Sequence, residues 1–260
     1  MQFLFGDLQD GISMEDARAY IAYIYDATNF TIDFIAQFRE FESRNITFQI
    51  WYGEGNLVFG GGGGLMAIDR VVLFNLLSVM VAGHEVVHAV MHQIGEPRPI
   101  RPLEEGFADF INDTFNKSED FDHSLPYHDE IYGEGFIRHA YSFYYDYLWH
   151  FAAHYRLTNH DYRAIHVGFG TFYTSVSAPD HIAAINTYAT ATSFVIYLVE
   201  TYGMDNFMKV LWDVDNFINV YGQDIHGMIE EWRRFLYNFV SSNEYAEEWE
   251  ELAISYWNQR

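Results

Sequence analysis

The sequence predicts an α+β fold, with a small β-sheet in an early lobe and a mostly helical later lobe. Three observations carry that expectation. Short β-branched and aromatic runs with alternation fall only in the early part of the chain, a long apolar helix follows them, and helical periodicity dominates the end.

The elements follow in order. Ala17, Tyr20, Ile21, Ile24, Phe34, Ile35 and Phe38 recur at helical spacing, so one or two amphipathic helices are expected over residues 14–43. The run Ile46–Tyr52 alternates as a strand does, and Asn56–Phe59 is a second candidate. Gly60–Gly64 reads as a loop or distorted edge, and Leu65–Asp69 as another short strand. The glycines lack the GxxxxGK[ST] pattern of a phosphate-binding loop. A helix is expected from about Val71 to Ile94, stopped by Gly95 and Pro97. Its opening 13 residues, Val71–Gly83, are nearly all apolar, short of the roughly 20 that span a bilayer. A buried core helix is therefore expected there. After Pro99 and Pro102 a further helix begins near Leu103, and residues 118–179 form an aromatic-rich stretch without a clear period. Segments 182–203, 204–220 and 224–240, and the tail from Asn243, read as helices. The chain is expected to be one domain over 1–260, with lobes of about 1–115 and 116–260.

Composition narrows the function classes. Thirty-seven acidic residues stand against 14 basic ones, for a net charge of −23. Such a field repels phosphate backbones and anionic lipid, so neither nucleic-acid binding nor membrane insertion is expected. With no cysteine in the chain, disulfides and thiolate ligands are excluded, and His, Asp and Glu are the strong metal ligands left. Met1–Asp7 has no basic segment leading into an apolar run, so no signal peptide is read there. Of the possible locations, an extracellular one is slightly favoured over the cytoplasm.

Within the apolar helix lies His84-Glu85-Val86-Val87-His88, an HExxH motif. Residues four apart share a helix face, so His84 and His88 can offer both imidazoles to one metal. Glu85 lies beside the ligands, placed to take a proton from a water. Catalytic zinc usually takes three protein ligands and a water. Met91 and Ile94 stand where a metzincin would have Gly and His. The following segment, Leu103-Glu104-Glu105-Gly106-Phe107-Ala108-Asp109, supplies two candidate carboxylates.

Together, VAGHEVVHAV and EEGFADF resemble the zinc sites of gluzincin metallopeptidases, the thermolysin-like and aminopeptidase-like group. The resemblance implies a zincin-like fold, a Zn²⁺ cofactor held by His84, His88 and Glu105, and Glu85 as general base. It selects Glu105 over Glu104, and it makes Asp109 the acid that accepts a hydrogen bond from a ligand histidine. Tyr188 through Leu198 and the Glu231-Trp232-Arg233 helix are similar to later stretches of the same group, which implies that Tyr188 hydrogen-bonds the oxyanion.

There are departures. Ala67 stands where aminopeptidases carry the Glu that captures a free amine, so an endopeptidase acting on peptide or protein substrates is expected. Its cleft is expected between the lobes, with Gly60–Asp69 as an edge to which substrate adds. No Tyr lies between His88 and Glu105, unlike thermolysin-type sites. A catalytically silent protein-binding module and a structural zinc domain are the competing readings. His92, His139, His150, His154 and His181 read as packing or solvated residues, with His181 a further candidate oxyanion donor. Glu119-Asp120-Phe121-Asp122 reads as a solvated loop rather than a calcium site.

Overall fold

A computed structural model describes residues 2–5, 14–40, 47–51, 63–67, 70–74, 79–94, 100–118, 145–158, 183–185, 187–244 and 246–251. Side-chain surroundings are described for most of the helical residues, but only the backbone is described in the strands.

The expected α+β class is overturned. The residues whose packing is described are 88% helical and hold no strand, so this body is all-helical. The reason is physical: long periodic segments bury continuous stripes against one another, whereas the strand candidates are runs of a few residues flanked by glycine. Four short extended segments, Gln2–Phe5, Thr47–Trp51, Gly63–Ala67 and Arg70–Phe74, are paired through their backbones in the order first, second, fourth, third. The first three pairing neighbours in that order run parallel, and the third segment lies antiparallel to the fourth. Two of these segments overlap the predicted runs at 46–52 and 65–69. Asn56–Phe59 lies outside the described residues.

The chain divides into two compact units, Met1–Glu96 with Ile111–Tyr141, and Pro97–Phe110 with Ser142–Arg260. In the first unit, α1 (Met14–Ala36) is a single helix. It buries Tyr20, Ile24 and Ile35 of the predicted stripe, together with Tyr23 and Ala27, while the predicted Ile21 and Phe34 are half-buried. Thr28 and Thr31 are buried on the same helix, and their hydroxyls donate back to Ile24 O at 2.6 Å and Ala27 O at 2.8 Å. These bonds remove the cost of burying two polar atoms.

Helix α2 (Val79–Ile94) packs against α1. It starts at Val79, not at Val71 as expected, because Arg70–Phe74 is extended. A short run such as Val71-Val72-Leu73-Phe74 has no periodicity to separate a strand from a buried helix, and its β-branched residues suit the strand. From Ala82 to Met91 every residue of α2 except Glu85 is buried, as expected of a helix apolar all round.

Helix α3 (Arg101–Asn116) contributes to both units. Pro102 stands in its first turn, where its missing N–H costs no helical bond.

The second unit adds α4 (Tyr145–Thr158), α5 (Tyr188–Tyr202), α6 (Met204–Trp212), α7 (Phe217–Tyr221) and α8 (Ile225–Ser241). Helix α5 is its centre, with Ala189 to Leu198 all buried. A reciprocal cap starts it: Thr187 Oγ1 accepts from Thr190 N, and Thr187 N donates to Thr190 Oγ1. Gly203, at φ 86°, ends α5 and admits α6 in a backbone conformation that other residues rarely adopt. Helix α8 begins at the Asp224 cap and buries Met228, Ile229, Trp232, Leu236 and Val240 at helical spacing. It packs against α4 and α5, which also pack on each other. Among the described residues, no helix is long and apolar enough to cross a membrane.

Candidate metal centre

Helix spacing sets the first two donors. His84 and His88, one turn apart on α2, are each 7% exposed, and their Nε2 atoms lie 3.1 Å apart. Their rings meet edge to face, with centroids 4.8 Å apart and planes at 73°. Two donors about 2.0–2.1 Å from one zinc ion, at a tetrahedral angle, would lie about 3.3 Å apart. The imidazoles therefore already hold nearly the spacing of a tetrahedral edge.

Glu105, on α3, is 6% exposed. One ligand atom from each of His84, His88 and Glu105 falls within 4.8 Å of the others. A buried carboxylate beside two imidazoles is costly unless positive charge compensates it. The group can hold a metal ion.

No family profile, curated protein or solved structure matches this chain. The reading of the site therefore rests on its chemistry. Two imidazole nitrogens and one carboxylate form a donor set suited to zinc and other borderline divalent ions.

Two glycines next to the candidate ligands, Gly83 and Gly106, show how the helices come so close. Gly83 immediately precedes His84. A β-carbon there would lie 1.9 Å from Asn112 Oδ1 and 2.5 Å from the Tyr23 hydroxyl. Those two atoms are hydrogen-bonded at 3.1 Å in a buried group that includes Asn116. Burial pushes the Tyr23 phenol up, so it stays a neutral donor. Gly106 immediately follows Glu105. A β-carbon there would lie 2.6 Å from the Ala191 carbonyl oxygen, so α3 and α5 approach almost backbone to backbone. A glycine adjoining a candidate ligand is the signal that would have found both.

The other predicted residues are placed as follows. Glu85 is half-buried, more exposed than its neighbours on α2. Asp109, one turn beyond Glu105, is 4% exposed, and its Oδ2 accepts from Thr192 Oγ1 at 3.2 Å. Tyr188 opens α5 and is half-buried. His92 is half-buried in the last turn of α2. His150 is buried, with Nδ1 2.8 Å from Ser193 Oγ, and Trp232 Nε1 donates to that same oxygen at 3.1 Å. With the Phe235 and Phe239 rings around it, this histidine belongs to the packing of α4, α5 and α8. His154 pairs with Glu250 at 2.5 Å. His139, His181, Gly60–Gly62 and Glu119–Asp122 lie outside the described residues.

A further polar group lies in the second unit. Gln223 Nε2 donates to Glu231 Oε2 at 2.6 Å, and the Tyr202 hydroxyl donates to Oε1 at 2.9 Å. The Gln223 bond, then the Tyr202 bond, hold the Glu231 carboxyl below its ordinary value. Burial, followed by contact with Tyr202 and Glu231, pushes the Tyr197 phenol up.

Proposed function

We propose that this chain is a zinc-dependent peptidase, acting as an endopeptidase, with His84, His88 and Glu105 as zinc ligands. The observation that carries the proposal is the convergence of these three donors within 4.8 Å, with Glu85 next to a ligand and less buried than its neighbours. Zinc, when bound, supplies a Lewis acid that polarises the carbonyl and makes water a nucleophile near neutral pH.

The chain's own residues supply the rest. Glu85 takes the proton of the attacking water and passes it to the leaving amine as the peptide bond breaks. The Tyr188 hydroxyl donates a hydrogen bond to the developing oxyanion. Asp109 supports the ligand set from the next turn of α3, and the Thr192 hydroxyl restrains its carboxylate. The resemblance of HEVVH and EEGFAD to gluzincin sites supports this division of roles.

The test is metal stoichiometry followed by cleavage of a mixed protein substrate, comparing wild type with Glu85→Gln. About one zinc per chain, and cleavage that falls by about 10²-fold or more in the variant, is expected from loss of a general base. Zinc without cleavage beyond that of Glu85→Gln refutes the peptidase and favours a silent binding module.

A further inference from the structure

We infer that Arg101 is a positioning residue for the metal centre, fixing one oxygen of Glu105 so that the other is presented to the ion. Arg101 Nε lies 3.2 Å from Glu105 Oε1, between an arginine side chain 58% exposed and a carboxylate 8% exposed. The inference rests on the metal-binding part of the proposed function and not on peptide cleavage.

Helix energetics do not account for an arginine at this place. Position 101 is the first residue of α3, where the helix dipole disfavours a cation. A cation four residues before an acid is also the weaker order for an intrahelical pair. The chain has only 14 basic residues against 37 acidic ones, so a cation here is not a by-product of a basic surface. What the position does provide is reach. Arg101, Glu105 and Asp109 follow one another at i, i+4 and i+8, a single stripe along α3.

The guanidinium is always charged and donates from a planar fork, so its contact with Oε1 restricts the rotation of the Glu105 carboxylate. A carboxylate restrained at one oxygen samples fewer orientations before a metal binds. It also pays less conformational entropy on binding. Partners of ligand carboxylates typically change metal affinity by about 10- to 100-fold when removed. Because Arg101 is more than half exposed, the lower end is expected.

The experiment measures zinc affinity of the purified full chain by competition with a chromophoric chelator, for wild type, Arg101→Gln, Arg101→Lys and Glu105→Gln. Arg101→Gln is expected to bind zinc about 10-fold more weakly. Arg101→Lys, which keeps the charge without the fork, recovers part of that loss. The gap between wild type and Arg101→Gln narrows as salt rises, which a purely structural defect would not show. Cobalt(II) spectra of Arg101→Gln are expected to differ from wild type, reporting altered carboxylate coordination. Equal or tighter zinc binding by Arg101→Gln overturns the role of Arg101 while the metal centre stands. Wild type that binds zinc no better than Glu105→Gln overturns the metal centre, and this inference with it.

Discussion

Replacing Gly106 with alanine tests whether backbone proximity sets the position of Glu105. Two effects oppose each other. In a helix interior alanine is favoured over glycine by about 0.8–1.0 kcal/mol. Against that, the new β-carbon would lie 2.6 Å from the Ala191 carbonyl oxygen and 2.7 Å from its carbon, where ordinary contact begins at 3.4 Å. A withdrawal of about 0.8 Å is needed (3.4 − 2.6), and the obstacle is backbone in the buried helix α5 rather than a mobile side chain. Overpacking of this kind costs about 1–3 kcal/mol, and a rigid obstacle puts it near the upper end. The clash therefore wins, with a net loss of about 2 kcal/mol, or a fall in melting temperature of about 4–8 °C for a chain of this size. A shift of that size also exceeds the tolerance of about 0.2 Å in metal–ligand distances, so zinc affinity should fall as well. Thermal unfolding followed by circular dichroism, with and without zinc, measures both effects. A variant that melts at or above the wild-type temperature, with unchanged zinc affinity, refutes the close-approach argument.

Two further outcomes are expected. Ser193→Ala should lose about 1–3 kcal/mol, because it strips the Trp232 indole N–H and His150 of a shared buried partner. Urea unfolding measures it, and a loss below about 0.5 kcal/mol would mean that the network relaxes or recruits water. Glu231→Gln tests pH linkage. The folded-state pKa of Glu231 lies below its ordinary value of 4.5, so its contribution is present above that value and lost as pH falls through the lowered one. The stability gap between wild type and Glu231→Gln should be constant from about pH 7 to 5 and close on further acidification; a gap independent of pH down to about 3 contradicts the assignment.

What could be read from sequence was whatever depends on local spacing. The positions of α3 and α8 followed from periodicity and breakers to within about two residues, whereas α5 begins at Tyr188, later than the 182 start that periodicity suggested. The pairing of His84 with His88 followed from one helical turn, because a four-residue step leaves two side chains little freedom to be apart. The start of α2 did not follow. Val71–Phe74 is apolar in every position, so it carries no period, and its partners decide its conformation. For the same reason the fold class was misjudged: short alternating runs suggested a lobe that mixes sheet and helix, whereas the described packing is helix on helix.

Glu105 marks the boundary between the two kinds of knowledge. Sixteen residues separate it from His88, and no local rule brings a carboxylate back across that distance. Its residue type and neighbours could be recognised along the chain, but its arrival within 4.8 Å of two imidazoles is a property of packed helices. So are the close approaches at Gly83 and Gly106 and the ion pair between Arg101 and Glu105. The two glycines are defined by what a β-carbon would strike, and the arginine by the ion pair its carboxylate partner accepts. Chemistry is carried by residue identity, which is written in the chain. Distance between remote groups comes from packing, where a missing methyl group decides how near two helices can come.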